Sequence, residues 1–294
     1  MADAPAAPAA ATATSAFDRD TAVSLRSREL DGVAQRVRFA AEVSSDWRAG
    51  RGPHGGYLAA MLLRALTDAV ADAERAARSL TIHYARAPQP GPVTIDVAIE
   101  RQGRSLSTLS ARMEQDGALV ALALSAFSVA WSAPQIAELA LPQVDPPDAE
   151  RKTGIPLFAG APPFTRHLIV QPRIGAVPFQ GSDAPMEVGS WLGLLEERPI
   201  DALSLAFFSD ALFSPPFIRL REPSTTPTVD LTIHFRTPMP RSAEPDAGEL
   251  CFARFRSGLI QEGFFEEDGV IWAADGTVLA QSRQLGIVLP LPIG

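Results

Sequence analysis

Hydrophobic and polar positions follow two periods along this chain. From Gly56 to Ala73 the apolar residues Leu58, Met61, Leu62, Ala65, Leu66 and Ala69 recur at the i, i+3, i+4, i+7 spacing of one helix face. Pro53 and two glycines stand just before. The pattern predicts a helix rich in Ala and Leu, buried on most sides. A strand-like VRFAAEV precedes it. The period then shortens to two. Leu80–Tyr84, Val93–Glu100 and Ser105–Gln115 read as strands. Asp116-Gly117 reads as a tight hairpin turn leading into a long apolar strand, Ala118–Trp131. Connections this short join antiparallel strands.

Residues 133–163 contain APQ, LPQ, DPPD and APPF and lose all periodicity, as a Pro-rich linker does. Strand patterns resume at Thr165–Gln171 and Met186–Leu195. A helical stretch is expected over Ile200–Leu212, then strands at Thr228–Arg236, Leu250–Gly258, Gly263–Ala273 and Val278–Leu289, with Asp275-Gly276 as a second hairpin turn.

The two halves repeat each other. Leu80-Thr81-Ile82-His83-Tyr84 matches Leu231-Thr232-Ile233-His234-Phe235 at an offset of 151 residues, and Asp116-Gly117 matches Asp275-Gly276 at an offset of 159. Around both, the order is helix, LTIH strand, two strands, Asp-Gly turn and long strand. This predicts a duplicated α+β unit. One unit alone leaves a sheet edge open, and two can pair edges into one continuous sheet with both helices on one face. That arrangement is a double hotdog. The expected organisation is a disordered Ala/Pro-rich tail over 1–16, a first repeat over 17–132, the linker over 133–163 and a second repeat over 164–294.

Composition narrows the chemistry. Of 294 residues, 46% are hydrophobic and 20% charged, the balance of a globular protein. The net charge of −8 argues against a general nucleic-acid grip. A single cysteine, Cys251, excludes an intrachain disulfide and a Cys-based metal site, and fits a reducing compartment. The first residues lack the basic start and Leu-like core of a secretory signal, and no apolar stretch reaches the ~20 residues of a membrane span. A cytoplasmic location is expected, with no metal and no cofactor.

The unequal copies point to candidate residues. Asp210, Thr228 and Gln284 map onto Ala59, Ala77 and Ser125 by the two offsets. Asp210 lies in the otherwise apolar LSLAFFSDALF, where a bare carboxylate is expensive to bury. An Asp there can also cap a turn, and Thr and Gln on strands are ordinary. The first copy carries Gly52-Pro53-His54-Gly55-Gly56 ahead of its helix. Helix-start N–H groups at a glycine pair suit a developing oxyanion, although His54 can equally cap or pack. Gly50-x-Gly52-x-x-Gly55 formally matches a dinucleotide fingerprint, but an antiparallel series follows it rather than a βαβ unit. No G-x-S-x-G or H-E-x-x-H is present.

These residues resemble the thioesterase II type of acyl-CoA thioesterase, within the thioesterase-like superfamily of double hotdog proteins. The resemblance runs from about Phe17 to Leu289 and rests on the Gly-Gly helix start, SDALF, TVDLTIHF and the final DG…SRQLG strand. It implies an acyl thioester, such as acyl-CoA, as substrate. It also implies that Asp210, Thr228 and Gln284 activate water, with His54, Gly55, Gly56 and Tyr57 on the binding side. In this chain Tyr57 follows the glycines where better-known members have a polar amide residue. Leu58, Met61, Phe207 and Trp191 are candidates for an acyl pocket, and Arg51, Arg86 and Arg104 for the coenzyme A phosphates. An enoyl-CoA hydratase or dehydratase, using His54 with Asp210, and a noncatalytic acyl-thioester-binding protein are the alternatives. A homodimer or higher homo-oligomer is expected.

Overall fold

The computed structural model describes residues 15–31, 34–50, 52–152, 162–239, 241, 246 and 248–291. Residues 1–14 of the expected tail, Arg51 and residues 153–161 of the expected linker therefore lie outside the described residues, while Ser15 and Ala16, expected in the tail, cap and begin a helix. A short helix, α1 (Ala16–Asp20), leads into strands β1 (Val23–Asp31) and β2 (Ala34–Val43), then helix α2 (Gly55–Val70). Strands β3 (Ala76–Tyr84), β4 (Gly91–Gln102), β5 (Leu106–Gln115) and β6 (Ala118–Ser128) complete the first half. The second half runs β7 (Leu168–Ile174), β8 (Glu187–Leu194), helix α3 (Ala202–Phe208), β9 (Thr228–Phe235) and β10 (Cys251–Arg256). It ends with β11 (Ile260–Gln261), β12 (Phe264–Ala273) and β13 (Val278–Ile287).

These strands form one antiparallel sheet in the order β1-β2-β4-β5-β6-β3-β9-β13-β12-β10-β8-β7, with the short β11 beside β12. Read outward from the centre, the two halves list the same elements in the same order. They meet at the LTIH strands: Thr81 stands opposite Thr232 and Leu80 opposite Ile233. Thr81 and Thr232, equivalent residues 151 apart, thus face each other across an antiparallel pair, so a local twofold passes between their hydroxyls, 3.1 Å apart. Irregularities repeat as well. The β3–β6 ladder slips between Ala77 and Ser79, and the β9–β13 ladder between Thr228 and Asp230.

The main core lies between the sheet and the helices. It joins α2 residues such as Met61, Leu62 and Leu66 to Phe207 and Phe208 of α3 and to inward strand residues of both halves. A second, smaller cluster of Trp191, Phe252 and Trp272 sits on the opposite face. There the segment after β6 crosses the second half, and the Trp191 indole donates to the Asp145 carbonyl at 2.9 Å. Trp191 therefore lies apart from Leu58, Met61 and Phe207, with which it was expected to line an acyl pocket.

Several elements differ from expectation. The second helix spans Ala202–Phe208 rather than Ile200–Leu212, so Asp210 stands in the turn beyond it. Asp201 and Ser204 close a capping box at its start. Prolines at 215 and 216 cannot extend it. The strand expected to continue to Trp131 ends at Ser128, and Leu122 and Leu124 on it are 42% and 58% exposed. That strand is covered on one face only. The edge strand β1 was not anticipated, because both of its faces carry polar residues.

Candidate functional site

The start of α2 meets the end of α3 at the glycine pair. A Cβ on Gly56 would lie 2.4 Å from the Phe207 carbonyl oxygen, and one on Gly55 2.8 Å from Asp210 Oδ2. Only glycine lets the two helices approach this closely. The N-cap residue, His54, makes no side-chain cap bond. The missing acceptor comes from the other half of the chain: Gly56 N–H donates to Asp210 Oδ2 at 3.0 Å. Asp210 thus caps α2 at its positive end. This changes the expected role of Gly56, whose N–H is already engaged by the carboxylate.

His54 braces the same residue. It is 3% exposed, with the rings of Phe164 and Phe207 at 4.2 and 5.1 Å. Its Nε2 lies 2.8 Å from the Asp210 backbone carbonyl, so that nitrogen carries the proton and donates. Nδ1 is buried without a partner among the described residues. Burial lowers the His54 pKa below its ordinary value, against the upward pull of Asp210, and so favours the neutral ring. Tyr84 closes the other side, its hydroxyl donating to the Gly55 carbonyl at 2.9 Å. Burial pushes that phenol well above its usual range, and the charge of Asp210 adds to the push.

Thr228 and Gln284 do come together. The Thr228 hydroxyl donates to Gln284 Oε1 at 2.8 Å. Gln284 Nε2 donates to Glu267 Oε1 at 2.7 Å, and the Ser214 hydroxyl donates to Glu267 Oε2 at 3.3 Å. Ser214 belongs to the loop that also carries Asp210, so that loop packs over the Thr228–Gln284–Glu267 row. Asp210 reaches the row through electrostatics: its charge is among the causes that raise Glu267. No described hydrogen bond joins it to Thr228 or Gln284 directly.

Tyr57 departs from its expected place. It is fully buried, donates to the Asp20 carbonyl at 2.7 Å, accepts from Ser44 N–H at 3.2 Å and stacks on Trp47. It packs the N-terminal segment rather than facing Asp210. Leu58, Met61 and Phe207 belong to the closed core. Arg86 is exposed just beyond β3, next to Ala87, which a Cβ on Gly52 would strike, so it lies at the site's end of α2. Arg104 lies at the other end, where its carbonyl binds Arg75 beyond the last turn of α2. Among the described residues no cluster of His, Cys, Asp or Glu is arranged to hold a metal ion.

Glu267, Ser214 and Tyr84 were missed in the sequence. Glu267 had a signal: alternation along β12 places it with Phe265 and Ile271 on the buried face. Ser214 and Tyr84 had none.

Comparison with known proteins bears on the same elements. The acyl-CoA thioesterase N-terminal domain family matches residues 43–129, and the acyl-CoA thioesterase C-terminal domain family matches residues 139–288. An uncharacterized protein of Mycobacterium tuberculosis is 27% identical, over 91% of this chain and 97% of its own. A hot dog fold protein of unknown function from Alicyclobacillus acidocaldarius superposes with a TM-score of 0.78 at 25% identity, covering 95% of this chain and all of that one. A putative thioesterase II from Thermobifida fusca gives 0.74 at 23% identity, over 94% and 98% of the two chains. An acyl-CoA thioesterase II from Mycobacterium marinum gives 0.69 at 19%, over 94% and 99%.

Proposed function

The chain belongs to the acyl-CoA thioesterase family, and from that premise we propose that Asp210, Thr228 and Gln284 activate water for hydrolysis of an acyl-CoA thioester. The family makes it a thioester hydrolase; the roles of single residues are our reading. The observation that carries it is the Gly56 N–H to Asp210 Oδ2 bond, which aims a carboxylate across the junction of the two repeats. One carboxylate oxygen is spent on the helix start, and the other remains for a water proton. Thr228, whose own proton goes to Gln284, offers an oxygen lone pair to the same water. Gln284 has a second amide hydrogen to give.

In the reaction the water oxygen bonds to the thioester carbonyl carbon while its proton passes to Asp210. The carbonyl oxygen becomes an oxyanion, stabilised by the Gly55 N–H at the helix start. Collapse breaks the carbon–sulfur bond, and the proton on Asp210 leaves with the thiolate. The products are free acid and coenzyme A thiol, and no covalent enzyme intermediate forms. His54 positions Asp210 through its backbone carbonyl. A hydratase would need that imidazole at the substrate, but it is enclosed by Phe164 and Phe207.

The test is a panel of acyl-CoA esters from acetyl to palmitoyl, with released thiol read by a colour reaction. Asp210→Asn should lower the rate at least about 100-fold while the fold is kept. A parental rate in that variant sinks the assignment. Water addition to an enoyl-CoA without thiol release supports a hydratase instead, and neither reaction supports a binding protein. The proposal includes a cytoplasmic site of action and assembly into a homodimer or larger homo-oligomer, which light scattering on the purified chain would test. No described helix is long and apolar enough to cross a membrane.

A further inference from the structure

The difference between the two repeats extends one position further. Gln284 stands opposite Glu267 on the neighbouring strand, and its counterpart Ser125 stands opposite Leu109. Leu109 is fully buried in the apolar core, whereas Glu267 fills the equivalent place with a carboxyl group and is 4% exposed. An ionisable group in a slot that the twin fills with leucine is costly unless its partners compensate. Its partners are specific: the Gln284 amide at 2.7 Å and the Ser214 hydroxyl at 3.3 Å.

A glutamine amide is set one way round by what faces each end. Glu267 draws the NH2 end, which leaves the Gln284 oxygen to take the Thr228 proton. Thr228 then presents an acceptor, and the remaining Gln284 N–H a donor. Resting on the reading that Asp210, Thr228 and Gln284 orient the attacking water, we propose that Glu267 is a positioning residue that fixes the Gln284 amide and, through it, the Thr228 hydroxyl.

The surroundings of Glu267 also give the site a pH response. Burial pushes its carboxyl up to about 8, against the hydrogen bonds from Gln284 and Ser214. The charges acting on it are Asp210, on the loop packed over it, and Asp268, beside it on β12; both push the same way as burial. Gln284 and Ser214 are neutral. Ionisation of Glu267 therefore adds negative charge next to the Gln284 amide that orients the attacking water, opposing the negative charge that develops on the substrate.

Two variants test this with octanoyl-CoA, or with the ester turned over fastest in the panel. Glu267→Leu installs the residue of the twin slot. It should lower kcat about 10- to 100-fold with KM changed less than about twofold, as a misplaced water-binding group does. Glu267→Gln keeps an acceptor for Gln284 and, like a protonated carboxyl, can offer Ser214 a donor when that hydroxyl turns to accept, but it cannot ionise. It should run within about threefold of the parent at pH 7 and lose the parent's fall in kcat above about pH 8. A parental kcat in Glu267→Leu overturns the proposal. So does a Glu267→Gln variant as slow as Glu267→Leu, or one that keeps the parent's alkaline fall. If Glu267→Leu does not fold, the Glu267→Gln profile decides alone. Asp210→Asn separates the two levels. An inactive Asp210→Asn beside a fully active Glu267→Leu removes only the role of Glu267, whereas an active Asp210→Asn removes the underlying reading and this one with it.

Discussion

At the scale of single residues, two carboxyl groups share one small region under different conditions. Asp210 sits at a helix N-terminus with an N–H to accept, and Glu267 sits in an apolar slot. Burial pushes the carboxyl of Glu267 up. That shift leaves a mark on stability. Folded, Glu267 keeps its proton up to about pH 8, while the unfolded chain releases it near 4.5. Between those values the folded protein binds more protons, so its contribution to stability falls as pH rises through the window. Glu267→Gln removes that slope. Thermal melts should show little difference from the parent near pH 5 and a growing advantage for the variant toward pH 8. Parallel Tm curves contradict a buried, proton-holding Glu267. His54 acts in the other direction: its lowered folded pKa means stability is lost as pH falls below about 6.5. The Asp, Thr and Gln were legible because the twin positions are apolar or small. Glu267 was not. The second Asp-Gly turn is one residue longer than the first, so the fixed offset of 159 aligns Glu267 with Thr108 rather than Leu109.

At the scale of elements, the two glycines at the start of α2 do different work. A methyl group on Gly56 would press on the Phe207 carbonyl, a backbone group that cannot rotate away. Gly56→Ala should destabilise by about 1–3 kcal/mol in urea unfolding, although alanine is the better helix former by about 1 kcal/mol. A methyl on Gly55 presses on the end of the Asp210 side chain and otherwise meets Tyr84 at an ordinary contact distance of 3.6 Å. Gly55→Ala should therefore fold with nearly parental stability yet hydrolyse thioesters about 10- to 100-fold more slowly, because Asp210 is pushed off the Gly56 N–H. Equal stability losses in the two variants would count against this division. Sequence periodicity found α2 within a few residues but overran α3, because the apolar run through Leu212 continues after the backbone has turned. Asp210 consequently looked like a helix residue, and its position in a turn is what lets it reach back to α2.

At the scale of the whole molecule, the repeats share one body. The core runs unbroken from Phe17 and Trp47 through α2 to Phe207 of α3 and the strands of both halves. Ion pairs stitch across it. Asp18 of the first half binds Arg64 at 2.9 Å and also Arg198, which precedes α3, at 2.9 Å. Burial raises the Asp18 pKa, but the Arg198 contacts, with help from Ser15 and Arg64, outweigh it and bring it down to about 2. Two independent domains would melt separately. Here scanning calorimetry should show one cooperative transition, with calorimetric and van't Hoff enthalpies in agreement. Two resolved peaks would mean that the central β3–β9 pairing is weaker than the shared core implies.

Apart from α1 and the edge strand β1, the order of elements, the duplication and the edge-to-edge sheet were already written in the pattern of apolar residues. Local period reports secondary structure, and a repeated LTIH strand in a repeated context reports a repeated unit. The same comparison isolated Asp210, Thr228 and Gln284. Who touches whom was settled by folding. Asp210 and Gly56 are 154 residues apart, and their bond depends on how closely two helices approach. The inward turn of Tyr57, the outward face of Trp191 and the partners that Glu267 meets depend on which side of the sheet is covered and by what. Those are properties of packing between distant segments, and no local pattern encodes them.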